Sequence, residues 1–170
     1  LIIDILNAKT MEAVFRLLQG CSFLGSFLAY QYTIDMNYSP YINFSENDFV
    51  KAGIGAIRGI KKCFLCYGNK CEDAIWYVKE HFNDLLKRYG YTSFHPLPGH
   101  EPTLIDLQNC FCETDKYLRA KMPELRIGNV RIKQKYMPHT DPIQFFFPPK
   151  WNIVEMYKYK PIVVPTLFDL

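Results

Sequence analysis

Apolar positions recur at helical rather than strand spacing along most of this chain. Ile2, Ile5 and Leu6, then Met11, Val14, Phe15 and Leu18, predict one or two helices broken near Asn7 to Thr10, with Gly20 as the stop. The run from Ser22 to Asp35 is apolar nearly all round and predicts a central helix packed on several sides. Gln31 and Asp35, four residues apart, share one face of it and need polar partners there. From Glu72 to Tyr89, the stripe Ile75, Val78, Phe82, Leu85 and Leu86 faces away from Lys79, Glu80, Asp84, Lys87 and Arg88. That predicts one amphipathic helix ended by Gly90. Thr103 to Ala120 predicts another, with Leu104, Leu107, Phe111 and Leu118 on its buried side. Asn37 to Asn43, with Pro40, and the proline-rich Tyr91 to Pro102 read as loops. His95 and His100 in the second loop are more often surface or hydrogen-bonding groups than catalysts. The fold class expected is all-α, a helical bundle over residues 1–137. A proline- and aromatic-rich tail, 138–170, wraps the same domain as irregular chain with a short strand at Ile162-Val163-Val164 and contacts to a partner.

Between the second and third blocks lies the stretch Ser45 to Phe64. Ser45 with Asp48 three residues on reads as a helix N-cap, Phe49 and Val50 as the apolar side of a short helix, and Gly53-Ile54-Gly55 as a tight turn. A second helix then starts at Ala56, with Ile57, Ile60 and Phe64 buried and Gly59 allowing close helix crossing. A hairpin of this form resembles the helix-hairpin-helix motif of DNA-binding proteins and DNA glycosylases. In such a motif the glycines Gly53 and Gly55 bare amides at a helix N-terminus that hold a backbone phosphate, with Arg58, Lys61 and Lys62 reinforcing it. The bland alternative is a glycine-rich turn between core helices with a solvated basic face.

Composition narrows the class. With 170 residues, 49% of them hydrophobic and 16% aromatic, the chain has enough apolar surface for one sizeable core, which argues against disorder. A net charge of +3 permits a local basic patch but not nucleic-acid binding by bulk charge alone. No apolar run reaches the roughly 18 residues of a membrane span, and the start lacks a signal-peptide layout. The expectation is a soluble intracellular protein, nuclear in a eukaryote or cytoplasmic in the host cell of a phage or in a bacterium, and the abrupt Leu1-Ile2-Ile3 reads as the edge of a fragment. Cys63, Cys66 and Cys71 with Cys110 and Cys112 match no strong zinc or iron–sulfur spacing, and two residues on a helix set two apart point different ways. Reduced cysteines acting as small hydrophobes are expected, with no metal and no cofactor.

Chemistry concentrates on the 103–120 helix. Asp106, Cys110, Glu113 and Tyr117 share a face, so two carboxylates point the same way two turns apart, with Lys116 and Arg119 near enough in sequence to add positive charge. For Asp106 the competing reading is an N3 cap with Thr103, and for Asp115 an exposed ion pair with Arg119.

Three motifs in order carry a more specific resemblance: Leu24-Gly25 through Gln31 with Asp35, then Ala52-Gly53-x-Gly55-Ala56-x2-Gly59, then Asp106 through Cys112-Glu113-x-Asp115-Lys116-Tyr117-x-Arg119. Over roughly residues 22–135 the chain resembles the alpha-glutamyl/putrescinyl thymine pyrophosphorylase family and the related helical domain of 5-hydroxymethyluracil DNA kinases. The resemblance implies a fold similar to helix-hairpin-helix DNA glycosylases and action on thymine-derived bases in DNA. Pyrophosphate on the 5-hydroxymethyl group of the base would be replaced by an amine or amino acid, after phosphorylation by a separate DNA kinase. It implies DNA contacts at Gly53, Gly55, Arg58, Lys61, Lys62 and Arg119, and a base pocket of Gln31, Asp35, Asp106, Glu113 and Lys116. Ile54 stands where the family has proline. These residues hold no Gly-x4-Gly-Lys-Ser/Thr loop, so kinase activity is not expected of them. Two alternatives remain: a non-catalytic DNA-binding or scaffold domain, and a base glycosylase.

Overall fold

The computed structural model describes residues 1–126 and 147–153, and within them every regular element is helical. The helices are α1 (Ile2–Asn7), α2 (Met11–Gln19), α3 (Ser26–Asn37), α4 (Ile54–Cys63), α5 (Glu72–Glu80), α6 (Phe82–Arg88) and α7 (Leu104–Lys121). Short 3-10 turns follow at Pro123–Leu125 and Pro149–Trp151. The all-α expectation is met among the described residues, none of whose helices is long and apolar enough to cross a membrane. The strand expected at 162–164 lies outside them.

The break between α1 and α2 falls where the pattern placed it, because Thr10 turns its hydroxyl onto the Ala13 amide (3.1 Å) and starts α2 afresh. Met11, Val14, Phe15 and Leu18 of α2 are buried against Ala29, Tyr30 and Ile34 of α3. Phe15, Tyr30 and Phe49 close into an aromatic triad with ring centroids 5.1–6.5 Å apart. Such pairs each add about 0.5–1.5 kcal/mol beyond area burial.

α3 departs from its expected place. Only its Ala29, Tyr30, Thr33, Ile34 and Asn37 side is buried, while Phe27, Leu28, Tyr32 and Met36 remain exposed. The apolar residues therefore cover two faces, of which the core takes one.

The expected single helix 72–89 is two. At His81 the backbone leaves helical geometry (φ −107°, ψ 17°), and the ring stacks on Tyr77 at 4.3 Å with Nδ1 2.9 Å from the Tyr77 carbonyl oxygen. The side chain thus crowds the carbonyl that the His81 amide uses. Gly90, at φ 80°, ends α6 with paired bonds from Tyr91 N–H to Leu86 O (2.8 Å) and Gly90 N–H to Lys87 O (3.1 Å).

The largest correction concerns residues 38–53, which hold no helix. Several of their backbone groups bond to side chains, some near in sequence and some far. Asn37 clamps the Phe44 peptide from both sides (Phe44 N–H to Oδ1 2.8 Å, Nδ2–H to Phe44 O 3.1 Å), and Ser45 Oγ accepts the Asn47 amide (3.1 Å). Glu72 Oε1 accepts the Ala52 amide (3.1 Å) and the Lys51 ammonium (2.7 Å). A chain whose amides are taken by a local serine turn and by side chains of Asn37 and Glu72 has no helical ladder to build.

α4 and α7 form the tightest crossing. A Cβ on Gly59 would lie 2.0 Å from the Phe111 carbonyl oxygen, and one on Gly55 would lie 2.4 Å from Cys112 Sγ. Gly59 serves close approach as expected, but its partner is α7 rather than the other arm of a hairpin. Neither Gly53 nor Gly55 has positive φ, so both are needed for space alone.

Candidate functional site: the cleft at the N-terminus of α4

Where α3 and α7 meet the start of α4, they leave an open cleft of about 630 Å³. Phe27 and Gln31 come from α3, Gly53, Ile54, Gly55 and Arg58 from α4 and its entry, and Gln108, Asn109, Cys112, Glu113, Asp115, Lys116 and Arg119 from α7.

Gln108 fixes the geometry. Buried on the inner side of α7, it accepts the Gly53 amide (Oε1, 3.2 Å) and donates to Asn109 Oδ1 (Nε2, 2.8 Å). This pins the entry of α4 to α7 and leaves the next amides of the helix, at Ile54 and Gly55, at the cleft with no side-chain cap. The Phe27 ring lies so close that a Cβ on Gly53 would meet its Cδ2 at 3.2 Å. An aromatic face and a helix N-terminus thus adjoin.

Charge is arranged around a buried carboxylate. Asp115 gives Oδ1 to Lys62 Nζ (2.7 Å) and Oδ2 to Arg119 Nε (3.1 Å), with the Lys62 and Asp115 side chains each 2% exposed. Lys62 is outside the cleft lining, so it neutralises Asp115 from behind while Arg119, Arg58 and Lys116 face the opening. The lining thus carries three cations, Arg58, Lys116 and Arg119, with the carboxylates of Glu113 and Asp115. Lys116 pairs with exposed Glu113, and that hydrogen bond pushes the Lys116 ammonium pKa up.

Of the residues expected to form the base pocket, Gln31, Glu113 and Lys116 line this cleft, as do Gly53, Gly55, Arg58 and Arg119 of the expected DNA contacts. The others lie elsewhere. Asp106 sits at N3 of the α7 capping box, where Oδ2 accepts the Thr103 amide (2.8 Å) and hydroxyl (2.9 Å) and stands 3.1 Å from His100 Nε2. Its carboxylate folds back along the helix instead of projecting beside Glu113. Asp35 is exposed outside the cleft, Lys61 is exposed outside its lining and acts on Cys71, and Lys62 is consumed by Asp115. Asp115 itself forms its pair with Arg119 in the interior, not at the surface.

Phe27, Gln108 and Asn109 stand inside the motifs that carry the resemblance but were given no role at the site. Glutamine at one helix face carries no signal until the partner amide, 55 residues away, is known. All six cysteines are free, and no cluster of three or more His, Cys, Asp or Glu side chains among the described residues could hold a metal.

A family model described as 5-hmdU DNA kinase, helical domain, matches residues 1–127. No curated protein and no solved structure gives a significant match to the chain.

Proposed function

The chain belongs to the family of the 5-hmdU DNA kinase helical domain, and from that premise we propose that it acts on a modified thymine base in DNA, taken into the cleft between α3, α4 and α7. The observation that carries this reading is the meeting of Arg58, Lys116, Arg119 and the α4 N-terminus with the Phe27 ring and the Gln31 and Asn109 amides in one opening. A nucleotide has the matching parts. Its phosphate suits the bared amides and Arg58, its base suits the Phe27 face, and its hydrogen-bonding edge suits side-chain amides. About 630 Å³ is enough for one extruded nucleotide. The phosphate-holding role of a helix-hairpin-helix passes here to α4 alone, entered from an irregular loop.

The reaction proposed is substitution at the methylene carbon on the base. The amine lone pair forms the new C–N bond, the C–O bond to pyrophosphate breaks, and pyrophosphate leaves with that electron pair. Arg119 and Lys116 offset the charge that grows on the leaving group, and Glu113 takes the proton released by the incoming nitrogen. DNA and an amine or amino acid are then the substrates, and a separate kinase supplies the phosphorylated base.

The test is a duplex with one pyrophosphorylated 5-hydroxymethyluracil, incubated with glutamate or putrescine, then digested and weighed as nucleosides. An amine-bearing nucleoside with pyrophosphate release is expected, falling at least ~100-fold in Glu113→Gln with DNA binding kept. Binding without product would establish the second reading, a non-catalytic DNA-recognition domain. That reading is favoured by one observation: with Asp106 locked in a cap, Glu113 is the one solvent-exposed carboxylate among the described residues of the cleft.

A further inference from the structure

The turn Cys21–Leu24, which leads into α3, holds Phe23 wholly exposed (100%). Its φ of 67° is left-handed. The other non-glycine residue with positive φ among the described ones is Asn152, and asparagine tolerates that region whereas a bulky aromatic does not. Leu24 N–H donates to Cys21 O (3.3 Å), which puts Phe23 at the turn position that glycine usually fills. Gln19 Nε2 clamps across the loop to Ser26 Oγ (2.8 Å). A strained backbone therefore presents a large apolar ring to solvent, where neither strain nor exposure benefits the fold. Phe23 precedes Phe27, which walls the cleft, by four residues, so the two lie within about 14 Å of each other. Ile54, 67% exposed, marks the cleft lip on the α4 side.

We propose that Phe23 is a wedge that enters the base stack of a DNA duplex at the step opened when the target base moves into the cleft. The inference rests on the function proposed above and adds its duplex partner. A protruding ring within about 14 Å of the Phe27 wall of a cationic cleft fits a stack of flat bases on a polyanionic backbone. Apolar wedges of this kind pry apart base steps, and an extruded base leaves a gap of that shape. Phe27, Leu28, Tyr32 and Met36 of α3 are exposed as well, and it is the cations of the cleft that favour a polyanionic partner over a protein pocket.

The experiment uses a duplex with 5-hydroxymethyluracil next to 2-aminopurine, whose fluorescence rises when it unstacks. Wild-type protein is expected to raise that signal several-fold on binding. Phe23→Gly, whose backbone suits the left-handed turn and which should melt no lower than wild type, is expected to bind single-stranded DNA as wild type does. On the duplex it is expected to lose the fluorescence rise, and Phe23→Trp to restore it. A Phe23→Gly protein that binds and unstacks the duplex like wild type overturns the wedge and leaves the cleft reading intact. A wild type that binds neither strand form overturns both.

Discussion

Asp115 is the residue on which the electrostatics of the cleft turn. With one oxygen on Lys62 and the other on Arg119, it holds two cations that burial alone would expel. Asp115→Asn leaves the Lys62 ammonium almost without exposure or countercharge, and a loss of about 3–5 kcal/mol in chemical denaturation is expected; a loss under about 1 kcal/mol would show that the pair is not the anchor. Gly59 is constrained as tightly for a steric reason. Alanine is the better helix former by about 1 kcal/mol, yet its methyl at Gly59 would meet a backbone carbonyl that cannot swing away. Gly59→Ala should therefore lower stability by about 1–3 kcal/mol or more, whereas Cys112→Ala in a Gly55→Ala background should recover most of the loss, because the clash there is with a side-chain sulfur. At this scale the sequence was partly legible. Gly59 announced close packing and Thr103 with Asp106 announced a cap, but burial of Asp115 depended on Lys62 arriving from 53 positions away. An i,i+4 pair looks the same from sequence whether solvent or core surrounds it.

Among the elements, strongly periodic ones were readable and tied-down loops were not. α2 and α7 appear where apolar spacing and caps put them. The helix expected around Ser45–Val50 gives way to a local turn in which Ser45 Oγ and O accept the Asn47 and Asp48 amides, and Glu72 ties down the chain that follows at Lys51 and Ala52. Burial raises the Glu72 pKa, but the Lys51 ammonium and the backbone amides outweigh it, so the carboxyl titrates below its usual range. A depressed pKa contributes stability that is full above the unfolded value near 4.3 and lost as pH falls through the folded value. Glu72→Gln should then be less stable than wild type by about 1–3 kcal/mol at pH 7, with the gap closing below about pH 4 in urea titrations followed by circular dichroism. A gap that stays constant down to pH 3 would mean that the charge on Glu72 does not hold the loop. Residues 147–153 close over this region. Trp151 stacks on His100 with centroids 3.6 Å apart and donates to Glu46 Oε2 (2.8 Å), while Lys150 Nζ donates to the Asn37 and Phe44 carbonyls. Loss of hydration pulls the Lys150 pKa down. These contacts seat residues 147–153 against His100, Glu46 and the Asn37–Phe44 loop.

For the whole molecule, a net charge of +3 spread over 170 residues gave no hint of where cations would meet. The fold decides that: it brings Arg58, Lys116 and Arg119 to one opening and turns Lys61 and Lys62 away. The all-helical class and the kinship to the 5-hmdU DNA kinase helical domain were legible because they rest on periodicity and short motifs. The split of the expected site was not, since it depends on how α4 crosses α7. Glycine substitutions in α4 would disturb that crossing along with any ligand, so a cationic side chain gives the cleaner test. The most direct measurement is the affinity of wild type and Arg58→Ala for duplexes with 5-hydroxymethyluracil or thymine at one position, across a salt series. Binding that weakens with salt, tighter for the modified duplex, with the logarithmic slope smaller by about 1 in Arg58→Ala, is the predicted result. Wild-type binding that is absent at low salt, or a slope unchanged by Arg58→Ala, would contradict the cleft as the place where this protein holds DNA.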